Sequence, residues 1–162
     1  MDLAQVDRLF AVNAIAPINV IHAVLPLMRQ HGGGSIINIA SAAARLGAET
    51  CSAYAASKAA LVQFTQTLAP ELRRSAIRVN CIAPGSVRTP MLGFDGRPLS
   101  PEQLSSIARR EAVTNSPHGK AMSDPEDIAQ VALFLASDAS QAIQGACITV
   151  DQGQTAAMPI VP

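Results

Sequence analysis

Two short apolar runs bracket a helix-periodic stretch, and that order constrains the fold more than any other feature of the chain. Ser35-Ile36-Ile37-Asn38-Ile39-Ala40 and Ile77-Arg78-Val79-Asn80-Cys81-Ile82 are rich in isoleucine and valine, as strands buried on both faces of a parallel sheet are. Between them, residues 52–74 carry Leu61, Phe64, Leu68 and Leu72 at helical spacing,. Strand, helix and strand of these lengths make a right-handed crossover. The predicted class is α/β, with a short third strand at 146–150.

The core has to come from small aliphatic side chains. Aromatic residues are 3% of the 162, with no tryptophan, while hydrophobic residues are 49% and charged residues 15%. That is enough apolar material for one packed domain and too little charge for a disordered chain. The first helix is predicted at about 3–30, capped by Asp2 and carrying Leu3, Val6, Leu9, Phe10, Ile18, Ile21, Val24, Leu25 and Met28. Pro17 should bend or divide it, and Gly32-Gly33-Gly34 should end it. Ala55, Ala56, Ala59 and Ala60 thin the first turns of the second helix, and Pro70 should bend it. Ser100-Pro101-Glu102 and Asp124-Pro125-Glu126 read as helix starts. Residues 86–99 read as a loop, and 152–162 as a loose tail. The chain 1–162 reads as a single domain.

Zero formal net charge without a basic run speaks against a nucleic-acid partner,. No stretch is expected to be long and clean enough to span a bilayer, and MDLAQVDRLF lacks the basic start of a signal peptide. Cys51, Cys81 and Cys147 are odd in number and far apart, which suits free thiols in a reducing, cytoplasmic setting. His22, His31 and His118 have no metal-binding spacing.

The chemistry gathers in residues 41–58. Tyr54, the only tyrosine, precedes Lys58 by one helical turn, and Ser41 follows the first strand directly. Sites in open α/β sheets form at that carboxyl end. A phenol has a reference pKa of about 10, so working near neutrality asks for a preference for the phenolate of about 4 kcal/mol. A lysine ammonium one turn away supplies charge of the right sign. Such a phenol passes a proton to or from a carbonyl or alcohol oxygen, and Ser41 could hold the same oxygen. The hydride is beyond any side chain, so a nicotinamide cofactor, NAD or NADP, is implied. Taken alone, Tyr54 and Lys58 read sooner as an ordinary pair on a solvated helix face, and Ser41 could be a loop serine capping the next segment. Cys51 reads as an inert buried thiol or a pocket wall, and Arg45 and Glu49 as solvent-exposed.

An ordered set of motifs carries a family resemblance. It consists of Val12-Asn13, Ile36-Ile37-Asn38-Ile39-Ala40-Ser41, Tyr54-Ala55-Ala56-Ser57-Lys58, Ile77-Arg78-Val79-Asn80, and Pro84-Gly85-Ser86-Val87-Arg88-Thr89-Pro90. Pro125-Glu126-Asp127-Ile128-Ala129, Phe134-Leu135-Ala136-Ser137-Asp138, Gly145 and Val150-Asp151 follow. In this order the chain resembles the carboxyl-terminal part of a classical short-chain dehydrogenase/reductase. The resemblance implies part of a doubly wound, Rossmann-type parallel sheet of about three strands with flanking helices. It implies Tyr54 as general acid/base and Lys58 as the group that lowers its pKa and binds the nicotinamide ribose. Ser41 would orient the carbonyl, and Asn13 would hold a water of a proton relay. Pro84, Gly85, Val87 and Thr89 would line the nicotinamide end, and 91–123 would be the substrate lid. The helices near 3–30 and 52–74 would pair subunits, as a homo-oligomer or with a longer relative.

The departures carry as much weight. The family's glycine-rich turn TGxxxGxG, its ribose-reading residue and its Asn-Ala-Gly stretch are not in this sequence. Gly32-Gly33-Gly34 lies after a helix and before a strand, the reverse of a pyrophosphate cradle. The expectation is a truncated, catalytic half, its first strand short of an inner neighbour, with weak cofactor binding. Met122 stands where the family often has glycine, and Gln152 where it often has VDGG. Two further readings stay open: an inactive dimerisation partner and a partial gene product without independent function. Neither the substrate nor the choice between NAD and NADP is legible.

Overall fold

A computed structural model describes residues 2–47, 50–112 and 116–156. The chain begins with α1 (Leu3–Phe10), a π turn (Ala11–Ile15) and α2 (Ala16–Gln30), and enters β1 (Gly34–Ile39). Helix α3 (Ser52–Glu71) crosses to β2 (Ile77–Pro84). Helices α4 (Pro101–Ala112) and α5 (Pro125–Ala136) precede β3 (Cys147–Val150). The three strands are parallel in the order β1-β2-β3, so the α/β class and the partial Rossmann-type sheet expected from the sequence are present.

The ladder sets Gly34 opposite Ile77 and Ile39 opposite Ile82, then Cys81 opposite Cys147 and Pro84 opposite Val150. Central strand β2 is buried on both faces, with Val79, Cys81, Ile82 and Ala83 fully shielded. That is why it reads as a continuous apolar run and not as an alternation. On one face, Ile21 of α2 and Leu68, Ala69 and Leu72 around the end of α3 meet Ile36, Ile77 and Val79. On the other face, Ser35 Oγ donates to the Leu135 carbonyl of α5 at 2.8 Å, and Leu135 itself is fully buried. Strand β3 starts too late to satisfy the first part of β2. The side chain of Gln144 substitutes for it, accepting from Val79 N at 2.8 Å and donating to Ala69 O at 3.1 Å.

Pro17 neither divides nor ends the first helix. It lacks the N–H that Asn13's carbonyl would receive, and the turn just before it widens so that Ala16 N–H reaches Ala11 O. A proline is absorbed in this way by a π turn. The helical stretch Leu3–Gln30 therefore runs unbroken for 28 residues and is long and apolar enough to cross a membrane, by length and composition only. This corrects the expectation that no stretch would be. Val12, Ile15, Val20 and Leu27 along it are each more than half exposed. Pro70 sits in the last turn of α3, which ends at Glu71, three residues earlier than expected. Of the tail expected to be loose, the first part is tied: Asp151 accepts from Gly153 N at 3.0 Å and Thr155 N at 2.7 Å, and Gln154 donates to Ala121 O at 2.9 Å. Residues 157–162 of that tail lie outside the described residues, as does Glu49.

The step from α2 into β1 requires glycine. Gly33 has φ +130°, and a Cβ there would lie 2.3 Å from the Ala76 carbonyl oxygen at the start of β2. Gly33→Ala should therefore cost roughly 1–3 kcal/mol, read as a lower urea midpoint with an unchanged slope.

Candidate active site

Tyr54 and Lys58 sit one turn apart on α3, and both are half-buried. Lys58 Nζ donates to the Ile39 carbonyl at 2.9 Å. The direction of that bond follows from the ladder. Gly34 N and Ala40 N point to β2, at Ala76 O and Ile82 O. The intervening odd-numbered residues, Ile39 among them, turn their backbone groups to the open edge of β1. Lys58 thus closes a carbonyl that has no strand beside it among the described residues. Burial lowers the pKa of this lysine below its ordinary value, because the half-shielded ammonium loses part of its hydration.

A second chain of bonds ties the first helix to α3. Asn13 Nδ2, in the π turn, donates to Ser57 Oγ at 3.1 Å, and Ser57 Oγ donates to the Tyr54 carbonyl at 2.7 Å. Ser57 is fully buried. Ser41 follows β1 and caps the short helical turn Ala42–Ala44, its Oγ accepting from Ala43 N at 3.2 Å. No hydrogen bond joins Ser41 to Tyr54 among the described residues. A serine whose oxygen accepts one bond keeps its hydroxyl proton as a donor.

Pro84 ends β2, and Gly85 N bonds Val150 O at 2.9 Å. A side chain on Gly85 would collide with Asp151, whose Cβ lies 2.7 Å from the required position. Val87 bridges to Ser123, and Thr89 Oγ1 donates to the Val87 carbonyl at 3.3 Å. Asn13 and Tyr54 are therefore joined through Ser57, while Lys58 is tied separately to Ile39. Ser41 and the 84–89 segment lie at the carboxyl ends of the two adjoining strands. A cleft of about 420 Å³ beside Tyr54 is lined by Val6, Leu9, Thr50 and Cys51 as well. A larger one of about 610 Å³ lies at the amino end of the sheet, around Gly34, Arg73, Arg78 and Gln144, and contains none of the predicted site residues. Among the described residues no three His, Cys, Asp or Glu side chains group to hold a metal ion.

Sequence reasoning missed Ser57 as the node between Asn13 and Tyr54. The available signal was its position three residues after Tyr54, on the same side of the helix. Arg45 is solvent-exposed as expected, and its guanidinium reaches Thr149 Oγ1 at 3.5 Å.

A family model described as enoyl-(acyl carrier protein) reductase matches residues 1–155. The 3-oxoacyl-[acyl-carrier-protein] reductase FabG of Thermotoga maritima is 40% identical over 147 residues, which are 91% of this chain and 56% of that protein. The short chain dehydrogenase prhI of Penicillium brasilianum is 37% identical over 90% of this chain and 58% of its own length. Among solved structures, a 7α-hydroxysteroid dehydrogenase complexed with NADH and 7-oxo glycochenodeoxycholic acid superposes with a TM-score of 0.80 at 31% identity. It covers 94% of this chain and 56% of its own. A short chain dehydrogenase/reductase family protein gives 0.78 at 33% identity, covering 97% of this chain and 60% of its own. The chain belongs to the short-chain dehydrogenase/reductase family. It spans somewhat more than half the length of the relatives it matches.

Two outcomes test this geometry. Ser57→Ala strips Asn13 of its acceptor and should cost roughly 1–3 kcal/mol in chemical denaturation. Lys58 has a folded-state pKa below its unfolded one, so between the two values the unfolded chain binds more protons and stability rises with pH. Lys58→Met should remove that alkaline rise when unfolding free energy is followed against pH.

Proposed function

We propose that this chain carries the catalytic machinery of an NAD(P)-dependent oxidoreductase that interconverts an alcohol and a ketone. The observation that supports it best is the Lys58–Ile39 bond, which fixes an ammonium one turn from the lone tyrosine at the carboxyl end of the sheet. In reduction, the Tyr54 phenol donates its proton to the substrate oxygen; in oxidation, the phenolate removes it. Lys58 stabilises negative charge developing on the phenol oxygen. The Ser41 hydroxyl donates to the same substrate oxygen while Ala43 N–H holds its own oxygen in place. Asn13, through Ser57, holds the first turn of α3 so that Tyr54 keeps its position, and the relay water would lie beside it.

The residues present suit one end of the cofactor. An ammonium and a phenol at a strand end are the right donor set for ribose hydroxyls, and Lys58, Tyr54, Pro84, Gly85, Val87 and Thr89 would hold the nicotinamide half. When bound, the nicotinamide supplies or accepts the hydride. The pyrophosphate end does not fit: among the described residues, none of the three strands leads through a glycine-rich turn into a helix N-terminus,. Calorimetry on the purified chain should accordingly give weak NAD(P) binding, and tight binding would contradict this part of the reading. NAD and NADP are not distinguished.

The substrate class is a small-molecule alcohol or ketone. Residues 91–123, which include α4 and a small cleft around Leu92, Phe94, Ile107 and Met122, would cover it. Free Cys51, Cys81 and Cys147 suit a reducing cytoplasm,. A second reading is favoured by the exposed apolar side chains Val12, Ile15, Val20 and Leu27. Under it, the helices at 3–30 and 52–74 pair with another copy or with a longer relative, and the chain acts through assembly without turnover.

A panel of ketones with NADH or NADPH, followed by the loss of reduced-nicotinamide absorbance, separates the two. On the first reading, Tyr54→Phe lowers the rate about 10²- to 10⁴-fold. No turnover at any cofactor concentration favours the second, and a rate that survives Tyr54→Phe overturns the proposed chemistry.

A further inference from the structure

Cys81 and Cys147 are 66 positions apart in sequence, yet they are direct partners across β2 and β3. Paired residues of adjacent parallel strands project to the same face, and neighbouring strands lie about 4.7–4.9 Å apart. That falls within the Cα separation of roughly 4.4–6.8 Å that a disulfide accepts. The two thiols therefore face one another across the ladder. Their surroundings differ. Cys81 is fully buried in the central strand, whereas Cys147 on the outer strand is partly exposed. The Arg45 guanidinium reaches Thr149, two residues along β3 from Cys147, at 3.5 Å.

The electrostatics follow the geometry. The neighbouring Cys81 thiol and the charge of Arg45 hold Cys147 down to about 6, against the opposing effect of burial. Cys81 is pushed up, first by the neighbouring Cys147 and then by burial. One sulfur is thus a reachable thiolate and the other a shielded thiol, the two halves of an attacking and resolving pair. Neither takes part in the proton chemistry of Tyr54.

We propose that Cys81 and Cys147 form a hydroperoxide-sensitive thiol pair, with Cys147 attacking and Cys81 resolving, that closes to a reversible disulfide between β2 and β3. The Cys147 thiolate attacks the terminal oxygen of a hydroperoxide, the O–O bond breaks, and the departing oxygen takes a proton from water to leave as an alcohol, or as water from hydrogen peroxide. Cys147 is then a sulfenic acid. The Cys81 sulfur attacks the Cys147 sulfur, and the sulfenic oxygen leaves as water with the Cys81 proton. Overall two thiols are oxidised by two electrons and one hydroperoxide is reduced. Closure removes the thiolate that Arg45 faces. Arg45 follows the turn that Ser41 caps, so the disulfide would loosen the segment carrying Ser41.

The test treats the reduced full chain with one equivalent of hydrogen peroxide and reads intact mass and peptides. The expected result is loss of two hydrogen atoms, a peptide cross-linking Cys81 to Cys147, and full reversal by dithiothreitol. Cys81→Ser should stop at the sulfenic acid, trapped by dimedone on Cys147, and Cys147→Ser should give neither product. Arg45→Met should slow iodoacetamide labelling of Cys147 several-fold at neutral pH. A disulfide to Cys51, a link between two chains, dimedone on Cys51 alone or unchanged thiols would each overturn the proposal. The wild-type experiment decides the matter even if a serine variant fails to fold.

Discussion

Everything at the carboxyl end of the sheet depends on the bond from the Lys58 ammonium to the Ile39 carbonyl. The outer edge of β1 presents backbone groups that no strand among the described residues satisfies. Lys58 supplies the donor, and half-burial of its charge is the cost. The bond pins the second turn of α3 to the end of β1, fixing where Tyr54, one turn earlier, can point. Ser41, two residues beyond Ile39, is brought to the same place by the chain itself.

A proline in a helix supports the same site from the other side. Because Pro17 cannot donate to Asn13's carbonyl, the preceding turn widens, and it is this π turn that carries Asn13 to Ser57. The Asn13–Ser57–Tyr54 chain then joins two helices through a buried polar node whose donors are used, as buried polar groups require. Fold and chemistry share these residues. Weakening Ser57 would disturb packing first and the phenol's position with it.

The strands were legible because β-branched runs between helical stretches have few other ways to fold. Strand β1 lies within a residue of its expected bounds. Strand β2 extends through Ala83 and Pro84, which pair with Thr149 and Val150, and an Ala-Pro pair has no strand signature of its own. The candidate residues Tyr54, Lys58 and Ser41 stood out by spacing and Asn13 by the family resemblance, but their contacts were not legible. The Ile39 carbonyl as the lysine's partner comes from backbone alternation at an open edge, and Ser57 from helix packing. Widely spaced cysteines looked unrelated, since sequence distance says nothing of register across a parallel sheet. The tail beyond Val150 looked loose because small residues and glycine give no hint that Asp151 would fold a turn around its own carboxylate.

The central claim is that the nicotinamide half of a cofactor docks among Tyr54, Lys58 and the 84–89 segment without help from a pyrophosphate cradle. Titration of isotope-labelled chain with reduced nicotinamide mononucleotide, which lacks the adenosine half, tests it directly by NMR. The account predicts saturable shifts confined to Ser41, Tyr54, Lys58, Gly85, Val87 and Thr89. Shifts centred instead on the larger cleft at the amino end of the sheet, around Arg73, Arg78 and Gln144, would contradict it.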